Sequence, residues 1–486
     1  MADPIDRTTP PVHLRIGGER LTSGSGGVHP RVNPATGAVD AQVPLAGAAE
    51  VDRAVRVAHE AFDLWRRTAP TERRRLLERL AELVVENRAE LSRRGTLDLG
   101  VPYHGQPAVD RMAALLRYYA GWADRLSGEL LANYTDRSEL AYTLVEPYGV
   151  VGIIITWNGP LASYGMKMAA PIAAGNTVVV KPSELVPFSG ELLADLVEEA
   201  GFPPGVVNIL PGAPEAGEAL VSHALVRKVS FTGGPGTAEK ILVSCARQIK
   251  PVLLELGGKS ANLVFEDADL DAAVHHGTLL PTALVAGQGC AFPTRMLVQD
   301  TVYDEVLERA RAAAESFVVG DPFEEGTVGG PVISGAAVER ILAMVETAKA
   351  QGARLLTGGH RLGGPLSDGF FVAPTVFADV DPASELAQKE VFGPVLAVTP
   401  FRTEEEAIRI ANSTPYGLAA YVSTRDLARA HRVAGELTAG TVIVNGANLL
   451  EEYRPFGGFG YSGMGKEQGR LGIEEWLRVK AVAVAP

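Results

Sequence analysis

From Ala49 to Arg93 apolar positions recur at spacings of three and four, most regularly through LLERLAELVVENRAEL, with charges between them. That period places the apolar side chains on one stripe and predicts amphipathic helix. After residue 148 the pattern changes. Short runs rich in Val and Ile at 149–155, 177–180, 206–210, 228–231 and 252–256 end in turn residues, and the intervening 190–200 and 236–245 read as helices. Strand–helix alternation of this kind predicts a parallel sheet with helices on both faces. It resumes after Asp267, with helix from Leu270 to Ala286, a strand at 295–298, helices at 303–316 and 335–351, and strands near 395–400 and 441–444. A second α/β unit is therefore predicted, with the seam at a flexible Gly257-Gly258. Residues 140–146 alternate as an edge strand pair would. The run 479–484 is strand-like with no obvious local partner, and a terminal strand of that sort adds readily to a neighbour's sheet, so an oligomer is expected.

Composition narrows the function classes. A chain of 486 residues is too long for one core, so two or three units are expected. Its formal net charge of −13 argues against a nucleic-acid partner, because phosphate backbones are held by clustered Lys and Arg. No run approaches the roughly 18 apolar residues of a membrane span, and residues 1–15 lack a signal-type stretch, so a cytoplasmic enzyme with no membrane contact is the simplest reading. With only two cysteines, Cys245 and Cys290, a disulfide framework is not expected. Metal-ligand spacings are absent too. His275 and His276 adjoin each other in a predicted helix and so do not share a face, which leaves no metal site.

Cys290 sits in GQGCAFPTR between Gly289 and Ala291, small neighbours that let a carbonyl approach sulfur. Thiolate is the strongest side-chain nucleophile near neutral pH, although a lone cysteine is more often inert packing. Cys245, mid-helix, reads as packing. Glu255 ends the strand VLLEL before the two glycines, where a carboxylate faces either a cleft, as a general base, or solvent. Asn158 ends VVGIIITWN before Gly159-Pro160, and its amide suits either an oxyanion or the turn itself. Lys181 and Glu184 close the strand VVVKPSE at the carboxyl edge of the parallel sheet, where nucleotides bind. A carboxylate there accepts from ribose hydroxyls and repels a 2′-phosphate, which favours NAD over NADP. SFTGGPGTAEK then runs through a glycine turn into a helix start that offers N–H groups to phosphate; with Glu239 at the third-glycine position it is not GxGxxG.

Taken together, TWNGP, KPSE, FTGG, LELGGKS, GQGC, EVFGPV and PFGGFGYSGMGKEQG occur in the order and approximate spacing of the aldehyde dehydrogenase superfamily, from about Asn33 to the C-terminus. The resemblance implies an α/β fold: a Rossmann-like cofactor domain (1–127 and 148–257), an α/β catalytic domain (258–465) and a small β oligomerisation extension (128–147 and 466–486), assembled as a homodimer or homotetramer. It implies that Cys290 is the nucleophile, Asn158 the oxyanion donor acting with the Cys290 N–H, and Glu255 the base for water. For the cofactor, NAD, it implies Thr156, Trp157, Lys181, Ser183, Glu184, Phe231, Gly233, Gly234, Leu256, Glu390 and Phe392. The last two, in EVFGPV, would hold the nicotinamide ribose and ring.

Four positions depart from the pattern. Gly159 stands where the TWNxP motif commonly has a large residue lining the substrate tunnel; with Ser163 on the next helix turn it widens the entrance, while Met166 and Phe456 remain as apolar wall. The expected substrate is thus a bulky, hydrophobic aldehyde. Gly234 replaces the usual Ser of FTGS, Ala238 a common helix glycine, and Gly460 the usual Lys of PFGGxKxSG. Within the family the competing readings are a CoA-acylating or a semialdehyde-specific enzyme, the latter resting on Arg295 and Arg454. Outside catalysis, the rival is a non-catalytic binding or structural member.

Overall fold

A computed structural model of the chain describes residues 5–104, 107–132, 139–446, 448 and 451–485. Five parallel strands, Val150–Ile154, Thr177–Lys181, Val207–Ile209, Val226–Thr232 and Val252–Glu255, form the centre of an eight-stranded sheet. Numbered in chain order, their spatial order is 3-2-1-4-5. Both faces are covered, which explains runs that are apolar without alternation. Val151, Ile153, Val178 and Val180 pack under helices Pro70–Glu86, Ala108–Ala120, Pro160–Ala173 and Phe188–Glu199. Val150, Ile154, Val179 and Phe231 pack on the opposite side under Ala48–Trp65, Pro214–Ser222 and Pro235–Ala246. Strand order reverses between the first and fourth strands, Val150–Ile154 and Val226–Thr232. At such a switch point the connections leave in opposite directions and open a crevice beyond the carboxyl ends.

The second sheet has seven strands, in the order Arg354–Thr357, Thr375–Ala378, Val395–Phe401, Arg295–Gln299, Ala261–Val264, Ala419–Ser423 and Thr441–Val444; all but the first run parallel. Only Leu256–Ser260 separates its first strand in the chain from the last parallel strand of the other sheet. The carboxyl end of one sheet therefore abuts the amino end of the other, and the side chains of interest gather at that junction.

Three expectations need correction. Residues 140–146 are not an edge pair: Leu140–Pro147 is the middle strand of a three-stranded sheet, flanked by Leu130–Leu131 and Leu477–Val484. The C-terminal strand therefore has its partner in its own chain, in register from Leu477↔Pro147 to Val484↔Leu140. The helix expected to reach Ala286 stops at Thr282, and Val285 and Ala286 take left-handed φ of 50° and 51°.

Candidate active site at the junction of the two sheets

The turn after Val150–Ile154 carries Thr156, Trp157, Asn158 and Gly159 directly over the switch point, and Pro160 starts the following helix, where its fixed φ suits the first turn. Asn158 Nδ2 donates to the Gln288 carbonyl at 2.7 Å, which ties this turn to the segment bearing Cys290. That segment leaves its helix through the left-handed Val285 and Ala286, a conformation costing about 1–3 kcal/mol per non-glycine residue. The kink is held by fully buried Gln288, whose Nε2 donates to Val285 O at 3.0 Å and whose Oε1 accepts from Ile333 N at 3.0 Å. On the other side the Tyr421 hydroxyl donates to Ala291 O at 3.2 Å. Cys290 lies between these two anchors, partly buried and packed with Met166, Phe456, Leu418 and Tyr421. Burial, and after it the carboxylates of Glu390 and Glu255, push its thiol up to about 12.

Gly257-Gly258 serves proximity rather than flexibility. A Cβ on Gly257 would lie 2.3 Å from Glu390 Oε2, and one on Gly258 would lie 2.3 Å from the Cys290 carbonyl oxygen. Neither residue has a positive φ. The two glycines let the Glu390 carboxylate and the Cys290 backbone cross the connection between the sheets. Glu390 is seated there by the Gly258 N–H, which donates to Oε1 at 2.8 Å, and burial raises its carboxyl to about 7. Next to it Phe392 holds φ at 52° and meets Trp157 edge-on, with ring centroids 5.4 Å apart.

Glu255 is 3% exposed, and neither carboxylate oxygen has a hydrogen-bond partner among the described residues. A buried, unpartnered carboxyl resists ionisation. Burial and the neighbouring Glu467 hold it well above the usual range, with Lys167 and Lys466 pulling the other way. Gly457, at φ 142°, lies over it, so close that a Cβ would come 2.7 Å from Oε1. The Glu255 backbone also matters, since its carbonyl accepts from Gly233 N at 3.1 Å and fixes the glycine turn.

At the carboxyl edge Lys181 turns its ammonium onto the Pro182 carbonyl at 3.2 Å and onto Gly212 O, while Glu184 Oε2 stands 4.0 Å away. Ser183 Oγ accepts from Leu185 N at 3.3 Å and holds the turn that presents Glu184. Phe231 lies beneath Gly233, and Leu256 N donates to Ser462 O at 3.0 Å. Gly234 caps helix Pro235–Ala246 with extended backbone and no side chain, and a Cβ on Gly234 or Gly236 would meet nothing within 4 Å. Open space thus adjoins a helix N-terminus at the switch point. A Cβ on Gly159 would likewise meet nothing within 4 Å, and Ser163 is partly exposed on the next helical turn.

Nearly the whole chain, residues 21–482, matches the aldehyde dehydrogenase family. This chain belongs to that family. It is 44% identical over 464 residues to the human mitochondrial aldehyde dehydrogenase, covering 94% of this chain and 88% of that one. To human retinal dehydrogenase 2 it is 42% identical over 479 residues, covering 96% and 91%. Among solved structures, the NAD+ complex of an aldehyde dehydrogenase from Bacillus cereus superposes with a TM-score of 0.94 at 40% identity, covering 98% of this chain and 97% of that one. A Staphylococcus aureus betaine aldehyde dehydrogenase in complex with NAD+ gives 0.95 at 35%, covering 98% and 95%.

Two side chains of this family member escaped the sequence reading. Lys167 Nζ donates to Ser230 Oγ at 2.9 Å and pairs with Glu467, both side chains being 2% exposed, directly beside Glu255. The signal was present: Lys167 is the single charged residue in helix PLASYGMKMAAPIA. A charge amid so apolar a stretch is buried and paired. Arg295, weighed for an acidic substrate, spends its guanidinium on the carbonyls of Lys259, Ile410 and Ala411 at 2.7 to 2.9 Å. His275 and His276 are exposed, and no metal-competent group of acids, His or Cys occurs among the described residues. No helix there is long and apolar enough to cross a membrane.

Proposed function

We propose that the chain oxidises a bulky, hydrophobic aldehyde to its carboxylic acid with NAD, by way of a thioester on Cys290. The observation that carries this reading is the meeting of Asn158, Glu255 and Cys290 at the sheet junction, with Glu390 clamped beside the nucleophile. The residues present fit NAD. Glu184 stands at the strand edge for the adenosine ribose, unfilled space lies at the capping glycines for the pyrophosphate, and Glu390 and Phe392 flank the cysteine. The Glu184 carboxylate would repel a 2′-phosphate, which favours NAD over NADP.

The Cys290 thiolate attacks the aldehyde carbon. Asn158 Nδ2 has a second N–H beyond the one given to Gln288, and with the Cys290 N–H it receives the oxyanion; one such donor contributes roughly 10²–10³ in rate. The chemistry that NAD supplies when bound is acceptance of the hydride expelled as the adduct collapses to the thioester. Glu255, ionised, then takes a proton from water, the hydroxide adds to the thioester carbon, the C–S bond breaks and the acid departs. Its raised pKa makes it a strong base once it is charged. Aldehyde, water and NAD+ thereby yield acid, NADH and a proton.

Met166 and Phe456 pack with Cys290 as apolar neighbours, and Gly159 leaves open space beside Asn158, which supports a bulky substrate. Arg295 gives no support to a semialdehyde, because it is buried with each of its three guanidinium nitrogens bonded to a backbone carbonyl. For assembly, the exposed Leu140, Leu144, Val479 and Val484 on the three-stranded sheet favour a homodimer or homotetramer, which light scattering would distinguish. The deciding experiment follows NADH formation by purified protein with NAD or NADP and a panel of short, branched and aromatic aldehydes. Activity lost in Cys290→Ala, with branched or aromatic aldehydes ahead of acetaldehyde in kcat/KM, is expected. Higher kcat/KM for acetaldehyde would refute the open tunnel, and turnover only with CoA present would refute hydrolysis.

A further inference from the structure

Lys259 is 2% exposed, follows the two crossing glycines, and has no hydrogen-bond partner for its ammonium among the described residues. Leaving such a charge buried is costly, so its surroundings must compensate it electrostatically. Two cationic neighbours are already committed. Arg295 gives its donors to three carbonyls, and Arg340 gives its own to the carbonyls of Val391 and Phe392, immediately after Glu390. Of the two cations within electrostatic reach of Glu390, Lys259 and Arg340, Lys259 is the one whose side chain makes no hydrogen bond among the described residues. Both groups are displaced by burial toward the same point: the Glu390 carboxyl rises to about 7, and the Lys259 ammonium, disfavoured by burial and by Arg295, falls to about 7. Against that burial, Lys259 favours the charged form of Glu390, after the Gly258 N–H, and Glu390 favours the charged form of Lys259. Besides Lys259 and the Gly258 N–H, Glu390 faces Arg340, Tyr416 and the Cys290 sulfur.

We propose that Lys259 is a positioning residue for the cofactor: its buried ammonium keeps Glu390 in the anionic form, seated on Gly258, that accepts hydrogen bonds from the hydroxyls of the nicotinamide ribose. This rests on the reading of Glu390 given above. Lys259 touches neither cofactor nor substrate, and acts through the carboxylate. Glu390 that becomes protonated trades an acceptor for a donor and loses the charge-assisted bond to the ribose.

The test is NAD affinity measured by calorimetry from about pH 6 to about pH 9 on the wild type and on Lys259→Met, Lys259→Gln, Lys259→Arg and Glu390→Gln. Wild-type affinity should rise with pH through the Glu390 ionisation. Lys259→Met and Lys259→Gln should move that midpoint upward by about one pH unit or more and weaken NAD about tenfold near neutrality, while Lys259→Arg restores both. Glu390→Gln should bind weakly with a flat profile. If Glu390→Gln is weak but both neutral variants keep the wild-type midpoint, Lys259 has no such role and the Glu390 reading stands. If all three Lys259 variants weaken equally with an unmoved midpoint, the lysine is merely structural. If Glu390→Gln binds NAD as the wild type does, the Glu390 reading fails and the proposal falls with it. Should one neutral variant fail to fold, the other, matched in length but different in polarity, carries the comparison.

Discussion

Lys167→Met tests whether the buried charges around Glu255 form one electrostatic unit. The substitution keeps most of the side-chain volume and removes the ammonium, so packing in the apolar helix is spared. It leaves Glu467, 2% exposed with Oε2 already unpartnered among the described residues, without its counter-ion, and Ser230 without its donor. Breaking a buried pair from one side costs about 3–5 kcal/mol, whereas replacing both partners by apolar groups is often neutral. Denaturant unfolding of Lys167→Met should therefore show a loss in that range, and the double variant Lys167→Met/Glu467→Leu should recover most of it. A second readout concerns chemistry. Lys167 favours the charged form of Glu255 and Glu467 opposes it, so removing the lysine raises an already elevated pKa and removing the acid lowers it. Hydrolysis of an acyl-Cys290 formed from an activated ester should gain speed as Glu255 ionises. The rising limb of its pH profile should move to higher pH in Lys167→Met and to lower pH in Glu467→Gln. A single-variant loss below about 1 kcal/mol, or limbs moving in the same direction, would refute the reasoning.

Gly257→Ala should displace Glu390, because the new Cβ would sit 2.3 Å from Oε2; losing the Gly258 bond weakens NAD by about 10–100-fold, checked by calorimetry, with an unchanged unfolding midpoint. Gly258→Ala meets backbone instead, the Cys290 carbonyl at 2.3 Å, and should lower kcat for aldehyde oxidation as well as stability. Alkylation of the cofactor-free enzyme at Cys290 by iodoacetamide should climb about tenfold per pH unit with no plateau below about pH 10, because a thiol raised to about 12 exposes little thiolate at neutrality. A plateau near pH 8 would contradict the environment described. Gly159→Phe should fill the open tunnel and shift kcat/KM from aromatic toward short aldehydes, measured by NADH formation.

Elements whose stabilising contacts lie within one face were legible in the chain. The strand read at 177–180 is Thr177–Lys181, and the helix read at 303–316 is Tyr303–Ser316, because each carries its own period and its own terminating residues. Leu140–Pro147 and Leu477–Val484 were misread singly because each is the other's partner, and no local pattern announces a pairing across most of the chain. The helix end at Thr282 was missed for a related reason. LVAG looks helical, and it leaves the helix where Gln288 is held by Ile333 N and where Gly287 packs so close to the Gly393 and Pro281 carbonyls that a Cβ would lie 2.4 Å from each.

The site followed the same rule. Taken singly, Cys290 reads more readily as packing, Asn158 as a turn residue and Glu255 equally as a solvated strand end, and only the order of seven motifs joined them. Their electrical surroundings were not announced, although Lys259 and Glu467 stand inside two of those motifs, LELGGKS and PFGGFGYSGMGKEQG. Lys167, Lys259 and Glu467 come from a helix, an inter-sheet connection and a C-terminal loop, and their relation to the chemistry is distance and burial rather than spacing. Buried charge is the part of a site that folding assembles last in the chain of inference. It is also what decides at which pH Cys290, Glu255 and Glu390 are charged.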